Sequence, residues 1–324
     1  MKKILYSMLA FMLVLPLAFG LVACGNNEPE IAGVESAEEF LEAFATESSV
    51  ALGANITLEE KLDIDKDIEI NLNGKTLTFA GTNQYLIDVA EGKNVTIKNG
   101  TIDYTSDVVI QVIKSLINNH GNLVLKNINL QANNIDANGP SNINAVGNNG
   151  EGVLTLQNSI ITINTKENTT NSFKPIGVWN LGRTFTVTNT VINVSTTTVG
   201  SSYGVYNYIN EGEVDPGTRT VTISGTTINF TSSVINTACG VFAESYVEGE
   251  DNKAVITIGA NTVVNVTRTA ESGSGGKTYG LRTKGNAVIT GANNATITLT
   301  DNTECAQFEK GAEVGDAGTG VIED

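Results

Sequence analysis

Trp179, Tyr206, Phe242 and Arg282 carry the chemistry with the clearest geometry in this chain. Each stands two residues after a glycine, Gly177, Gly204, Gly240 and Gly280, in segments 176–180, 203–207, 239–243 and 279–283 of the form apolar, Gly, apolar, any, and often Asn. Strict alternation turns Val178, Val205, Val241 and Leu281 toward a core and the next residue outward. Three aromatics and a guanidinium are therefore expected in one exterior column, with the glycines beside them leaving the backbone uncovered. Flat aromatic faces with polar edges suit sugar rings, and contiguous exposed apolar surface usually has a partner. These four are the candidate glycan-binding residues, and Trp179, the single tryptophan of the chain, is the anchor.

Acidic stretches follow two of these segments: Glu211, Glu213 and Asp215, then Glu244, Glu248, Glu250 and Asp251. Carboxylates beside an aromatic column can accept sugar hydroxyls, bind calcium, or form an acid and base pair. They can equally solvate loops folded over the aromatics. A second acidic row, Asp63, Asp65, Asp67, Glu69 and Asn71, alternates with Ile64, Ile68, Ile70 and Leu72 and is expected to face out. It too could take calcium, or simply discourage edge pairing. The sole histidine, His120, lies in the turn composition Asn118, Asn119, His120, Gly121. No His and Cys cluster has metal-ligand spacing, and no glycine-rich loop precedes a helix, so no catalytic residue, metal or cofactor is assigned.

What must position these residues is a repeat. An eight-residue phrase with apolar first, third and eighth positions recurs at intervals of 25 to 36 residues: Ile70, Leu72, Leu77; Val95, Ile97, Ile102; Leu123, Leu125, Leu130; Leu154, Leu156, Ile161; Phe185, Val187, Ile192; Val221, Ile223, Ile228; Ile256, Ile258, Val263. Its second position is Asn71, Thr96, Val124, Thr155, Thr186, Thr222 and Thr257, an outward threonine ladder of β-branched residues favoured on pleated surfaces. Its fifth position holds Asn99, Asn127, Asn158 and Asn189, marking a turn that needs left-handed geometry and allows amides to stack between coils. The 33 glycines, 5 prolines and 17% charged residues suit many short strands joined by tight turns. About eight coils of three strands at ~4.8 Å predict a rod roughly 35 to 40 Å long.

Ser36 stands three residues before Glu39 as a capping box, and Phe40, Leu41 and Phe44 give one apolar face, so a helix over 36–47 is expected to cap the first coil. The β-helix is expected over 48–310 and an acidic tail over 311–324. Cys239 and Cys305, about two coils or roughly 10 Å apart, are too far from each other for a disulfide.

Residues 1–23 have the form of a secretory signal, with Lys2 and Lys3 before an apolar run from Ile4 to Leu17 that is too short to span a bilayer. Leu21, Val22, Ala23 and Cys24 resemble the lipobox of bacterial lipoproteins, which implies acylation of Cys24, display on the outer face of a bacterial membrane, and a flexible tether over 24–35. Loss of Lys2 and Lys3 moves the formal net charge from −16 to −18. With four scattered arginines and no basic stripe, nucleic-acid binding is excluded as a function class, and polyanionic ligands are disfavoured.

The octet, the asparagine column and the third segment together resemble the right-handed parallel β-helix of the pectin-lyase-like superfamily, over about Asn55 to Phe308. Lyases of that superfamily are expected to gather acidic calcium ligands and an Arg or Lys base across neighbouring coils. Its polygalacturonase-like hydrolases carry Asn-Thr-Asp, Asp-Asp and Gly-His-Gly segments, none of which occurs here. The expectation is a lipid-anchored surface module that binds a glycan as an adhesin. A lyase or hydrolase on the same scaffold is the alternative, and a spacer without ligand is the third.

Overall fold

The computed structural model describes residues 33–81, 85–104, 115–135, 142–165, 174–197, 200–214, 216–233, 237–269, 276–301 and 307–324. The expected signal, Cys24, nearly all of the tether, and Cys305 lie outside the described residues. Among the described residues no helix is long and apolar enough to cross a membrane.

The chain from Gly33 on is a parallel β-helix. Three strand faces recur in order around each coil, and each strand pairs in parallel with its counterpart one coil away. The third face has nine parallel strands among the described residues, from Leu62–Ile64 to Gln307–Gly315, which makes a stack of about 40 Å at the usual strand spacing. Isoleucine, valine and leucine fill the inside because every coil contributes inward positions at period two, and none of these side chains could be buried by one coil alone.

Registration corrects the octet at both ends. Val95 pairs with Ile68 and Ile97 with Ile70, so the first phrase begins two residues earlier than its spacing suggests. Asn71 consequently pairs with Lys98 and leaves the threonine column, where Glu69 stands beside Thr96. At the other end Ile228 pairs with Val264, and Val263 faces out, because the turn through Ala260 is one residue longer. From Val95 to Ile258 the first and third phrase positions stack as expected.

The asparagine column adopts the expected backbone: Asn99, Asn127, Asn158 and Asn189 have φ of 60°, 53°, 49° and 49°. Asn127 Nδ2 donates to Asn99 Oδ1 at 2.9 Å. A second asparagine ladder runs through the interior. Asn119, Asn148, Asn180 and Asn207 are fully buried, each donating to the next at 2.7, 2.7 and 2.8 Å. Asn148 also donates to the carbonyls of Gly152 and Thr184, satisfying groups where the chain turns from the third face to the first. Asn148→Ala should cost about 2 to 3 kcal/mol, since an amide and carbonyls stay buried without partners; a urea unfolding curve checks it, and a loss under 0.5 kcal/mol would show that the ladder is dispensable.

Helix α1 (Ala37–Thr46) covers the first coil. Ser36 Oγ accepts from Glu39 N at 3.2 Å, as the capping box requires, and Phe40 is fully buried. Leu41, expected on the same apolar face, is instead 48% exposed. Residues 311–324 are not a loose tail. The strand Gln307–Gly315 runs through the expected boundary and pairs with Thr278–Gly285, Gly318–Thr319 folds back on it antiparallel, and Val321–Ile322 joins the first face beside Ala287–Thr290. Burial alternates from Gly311 up to the turn at Asp316 and Ala317, a pattern the acidic composition hides.

Candidate functional site

The candidate column is real as a column. Trp179 pairs with Tyr206, Tyr206 with Phe242, and Phe242 with Arg282, in adjacent strands of the third face and outside the main core. It is not an open platform. Phe242 is 1% and Tyr206 8% exposed, while Trp179 and Arg282 are half-buried.

The cause is a break in alternation. Both Gly177 and Val178 face inward: a Cβ on Gly177 would lie 2.6 Å from Ile192 Cγ2, a core atom. Ile176 is thereby turned outward beside Trp179. The same holds for Tyr203 beside Tyr206, Cys239 beside Phe242, and Tyr279 beside Arg282, where strict alternation would have placed the first of each pair in the core. The glycines thus face the core rather than the aromatics. Two outward residues at i and i+3 per coil close over one another, and the result is a second hydrophobic cluster on the exterior.

Ring geometry follows. Tyr206 stacks on Phe242 at 5.1 Å and on Trp179 at 6.1 Å, and Tyr203 tilts against both Tyr206 and Phe242. Arg282 lies over the Phe242 ring at 4.4 Å, ending the stack as a cation on an aromatic face. Its guanidinium is held by Glu313 at 2.8 and 3.3 Å, and Glu313 also accepts from Tyr279 OH. Burial opposes the Glu313 charge, but these donors outweigh it and hold the carboxyl below its usual range. Glu244 accepts from Tyr206 OH and pairs with Lys284 at 3.2 Å. Phe242 is therefore an interior part and Arg282 a bridging part of a folded cluster.

Burial pushes the Tyr208 phenol up to about 12 and the Tyr206 phenol well above its ordinary value, each reinforced by Glu244. Burial also takes the Cys239 thiol to about 12. These hydroxyls and this thiol stay protonated at neutral pH, so they serve as hydrogen-bond donors and packing groups rather than bases or nucleophiles.

An opening remains at the Trp179 end. A cleft of about 330 Å³ is lined by Trp179, Tyr206, Tyr208, Ile176, Lys174 and Asn210, among others. Tyr208 tilts toward Trp179 at 6.2 Å and stacks on Tyr206 at 5.1 Å, so three rings form its wall. Trp179 Nε1 is buried and has no hydrogen-bond partner among the described residues. Tyr208, Ile176 and Tyr203 were not singled out from sequence, although an aromatic directly before Gly204 and Gly280, in a chain whose core is Ile, Leu and Val, was a usable signal.

Two acids of these stretches touch residues of the cleft, Glu244 through Tyr206 OH and Glu213 through Asn210 N at 3.1 Å, and neither lines it. Glu213 pairs with the buried Arg219, Glu250 with Lys253, and Glu211, Glu248 and Asp251 are exposed; Asp215 lies outside the described residues. In the row near the N-terminal end, Asp63 pairs with Lys61 at 2.7 Å and Glu69 with Lys98 at 2.8 Å. Asp67 accepts Asn94 N at 2.8 Å, a bond that lowers its carboxyl pKa. His120 sits in a bend after the strand Ser115–Asn119, with Nε2 3.0 Å from Asn118 Nδ2. No group of three His, Cys, Asp or Glu with metal-holding geometry occurs among the described residues.

No family model matches the chain, and no curated protein does. Among solved structures, the chain is similar to one named L. reuters 100-23 SRRP, with a TM-score of 0.42 and 13% identity over 90% of this chain and 98% of that one. It is also similar to the A-module of mannuronan C-5 epimerase AlgE4 from Azotobacter vinelandii, with a TM-score of 0.32 and 11% identity over 85% of this chain and 88% of that one.

Proposed function

We propose that this chain is a lipid-anchored, surface-displayed β-helix that acts by binding carbohydrate, without catalysing a reaction on it. The site is the cleft at Trp179, Tyr206 and Tyr208, narrower than the four-residue column and shifted to one end of it. The observation that carries this reading is a cleft of about 330 Å³ walled by three aromatic rings, of which Trp179 and Tyr208 keep partial exposure. That volume is in the range of small-molecule sites, and stacked rings with polar edges match the alternating apolar and hydroxyl faces of a pyranose. Glu244 and Glu313, the acids built into the cluster, are each engaged by a cation and a tyrosine, which favours a binding role over acid and base work. The lipobox-like Leu21, Val22, Ala23 and Cys24 support the anchor.

The burial of Phe242 favours, as a second reading, a spacer whose aromatic cluster only stiffens the rod. One experiment separates the two. Trp179 is the only tryptophan, so its fluorescence reports the cleft directly. Glycans that bind on an array are expected to shift that emission, and Trp179→Ala to weaken binding by about 2 kcal/mol, roughly thirtyfold, as for a central aromatic anchor. Array binding unchanged by Trp179→Ala and Tyr208→Ala, or no binding at all, would leave the spacer.

A further inference from the structure

We infer that the sugar held at Trp179 carries an acetamido group whose carbonyl oxygen takes the indole N–H; this rests on the carbohydrate reading above and names the ligand class for that site. The inference comes from counting hydrogen-bond valences around the cleft. Tyr206 OH already donates to Glu244, and Tyr208 OH donates to Asn210 Oδ1 at 2.9 Å. Asn210 Oδ1 has thereby used one of its two lone pairs. Trp179 Nε1 is a donor only, buried and unpartnered, and Lys174 contributes an ammonium with donors only. Among the described residues no carboxylate lines the cleft. The tyrosine hydroxyls and Asn210 Oδ1 keep lone pairs that can accept from sugar hydroxyls, whereas Trp179 Nε1 and Lys174 can only donate. The ligand must bring an acceptor, and a buried indole N–H left unpaired on binding would cost affinity.

A carboxylate and an amide carbonyl are the two strong acceptors a sugar presents. The chain's formal charge of −16 repels an anion; Arg219, Lys284 and Arg282 are each already paired with Glu213, Glu244 and Glu313, and the one cation lining the cleft, Lys174, is exposed to solvent, which weakens its pull on an anion. The neutral acceptor is favoured. An acetamido group also carries a methyl, which the apolar side chains of Ile176 and Leu181 at the same cleft can receive, whereas an unsubstituted hexose has no such group to desolvate there.

The test uses the full chain in detergent on an array of matched sugars differing only in N-acetylation, with uronic-acid sugars alongside, followed by calorimetry on the pair that binds. The acetamido sugar is expected to bind about tenfold more tightly than its hydroxyl parent. Trp179→Phe keeps a smaller stacking face and removes the N–H; it should lower the affinity of both sugars and shrink the preference between them to about twofold. Equal binding of the pair, tightest binding by a uronic acid, or a preference untouched by Trp179→Phe each overturns the acetamido assignment; where Trp179→Ala still weakens binding in those cases, the carbohydrate site itself stands. A blank array, with no sugar bound, removes the carbohydrate reading together with the inference.

Discussion

Gly204→Leu is expected to unfold the middle coils under conditions where the unmutated chain is intact, at a cost of about 3 kcal/mol or more. The smaller Gly204→Ala should cost about 1 to 3 kcal/mol. The reason is close approach rather than backbone freedom, since φ at Gly204 is not left-handed. A Cβ there would lie 2.5 Å from Ile228 Cγ2 and 2.6 Å from the Gly240 carbonyl oxygen. Ile228 belongs to a packed isoleucine column and the carbonyl to the next coil's ladder, so neither can retreat alone. Thermal unfolding followed by Trp179 emission reads the effect in the adjacent coil. A melting temperature for Gly204→Leu within a degree of the unmutated chain would mean that the coil cross-section can widen, and the break in alternation would lose its physical cause.

The same inward position changes along the stack in a way that explains why the aromatic cluster sits where it does. Leu116 and Ala145 occupy it in earlier coils, and glycine occupies it in the four coils from Gly177 to Gly280. Its outward neighbour is Ser115 or Asn144 in the earlier coils and Ile176, Tyr203, Cys239 and Tyr279 in the glycine coils, larger in three of these four. The aromatic members pack on rings of neighbouring coils.

The coil order and most of the register were legible because buried strands with period two and left-handed asparagines leave local marks: Leu123, Leu154 and Phe185 stack as their spacing predicts. The exposure of the candidate site was not legible. Parity rules assume unbroken alternation, and one extra inward residue at Gly177 reverses the side of every residue before it in that strand. Tyr203 therefore counted as core by parity, yet it helps bury Tyr206 and Phe242 from outside. The ion pairs of Glu244 and Glu313 depend on Lys284 and Arg282, 40 and 31 positions away, which no local pattern reveals. The same distance hides the cleft at Trp179, whose Tyr208 wall comes from the next coil.

Arg268→Ala is the second change with a large expected effect. Arg268 continues the inward parity of Val264 and Val266, and its side chain is completely buried. Thr196, Ser232, Arg268 and Asp301 form one column at the corner where the second face turns into the third. Arg268 Nη1 donates to the Gly276 carbonyl at 2.7 Å and lies 3.8 Å from Asp301 Oδ2, which also accepts from Thr278 Oγ1 at 2.6 Å. The charge thus fastens the segment leading into Thr278–Gly285, the strand that bears Tyr279 and Arg282. Alanine would leave the Asp301 carboxylate buried without its counter-ion, at a cost of about 3 to 5 kcal/mol. Arg268→Met combined with Asp301→Leu removes both charges at similar volume and should recover most of that loss. Coils in such a stack couple chiefly to their neighbours, so the damage should appear as early exchange of amides in 278–301, while Trp179 emission and ligand affinity three coils away stay unchanged. A single unfolding step in which Trp179 and the C-terminal amides move together would overturn that local picture, and a double variant no better than Arg268→Ala would show that the corner depends on the shape of the guanidinium rather than on its charge.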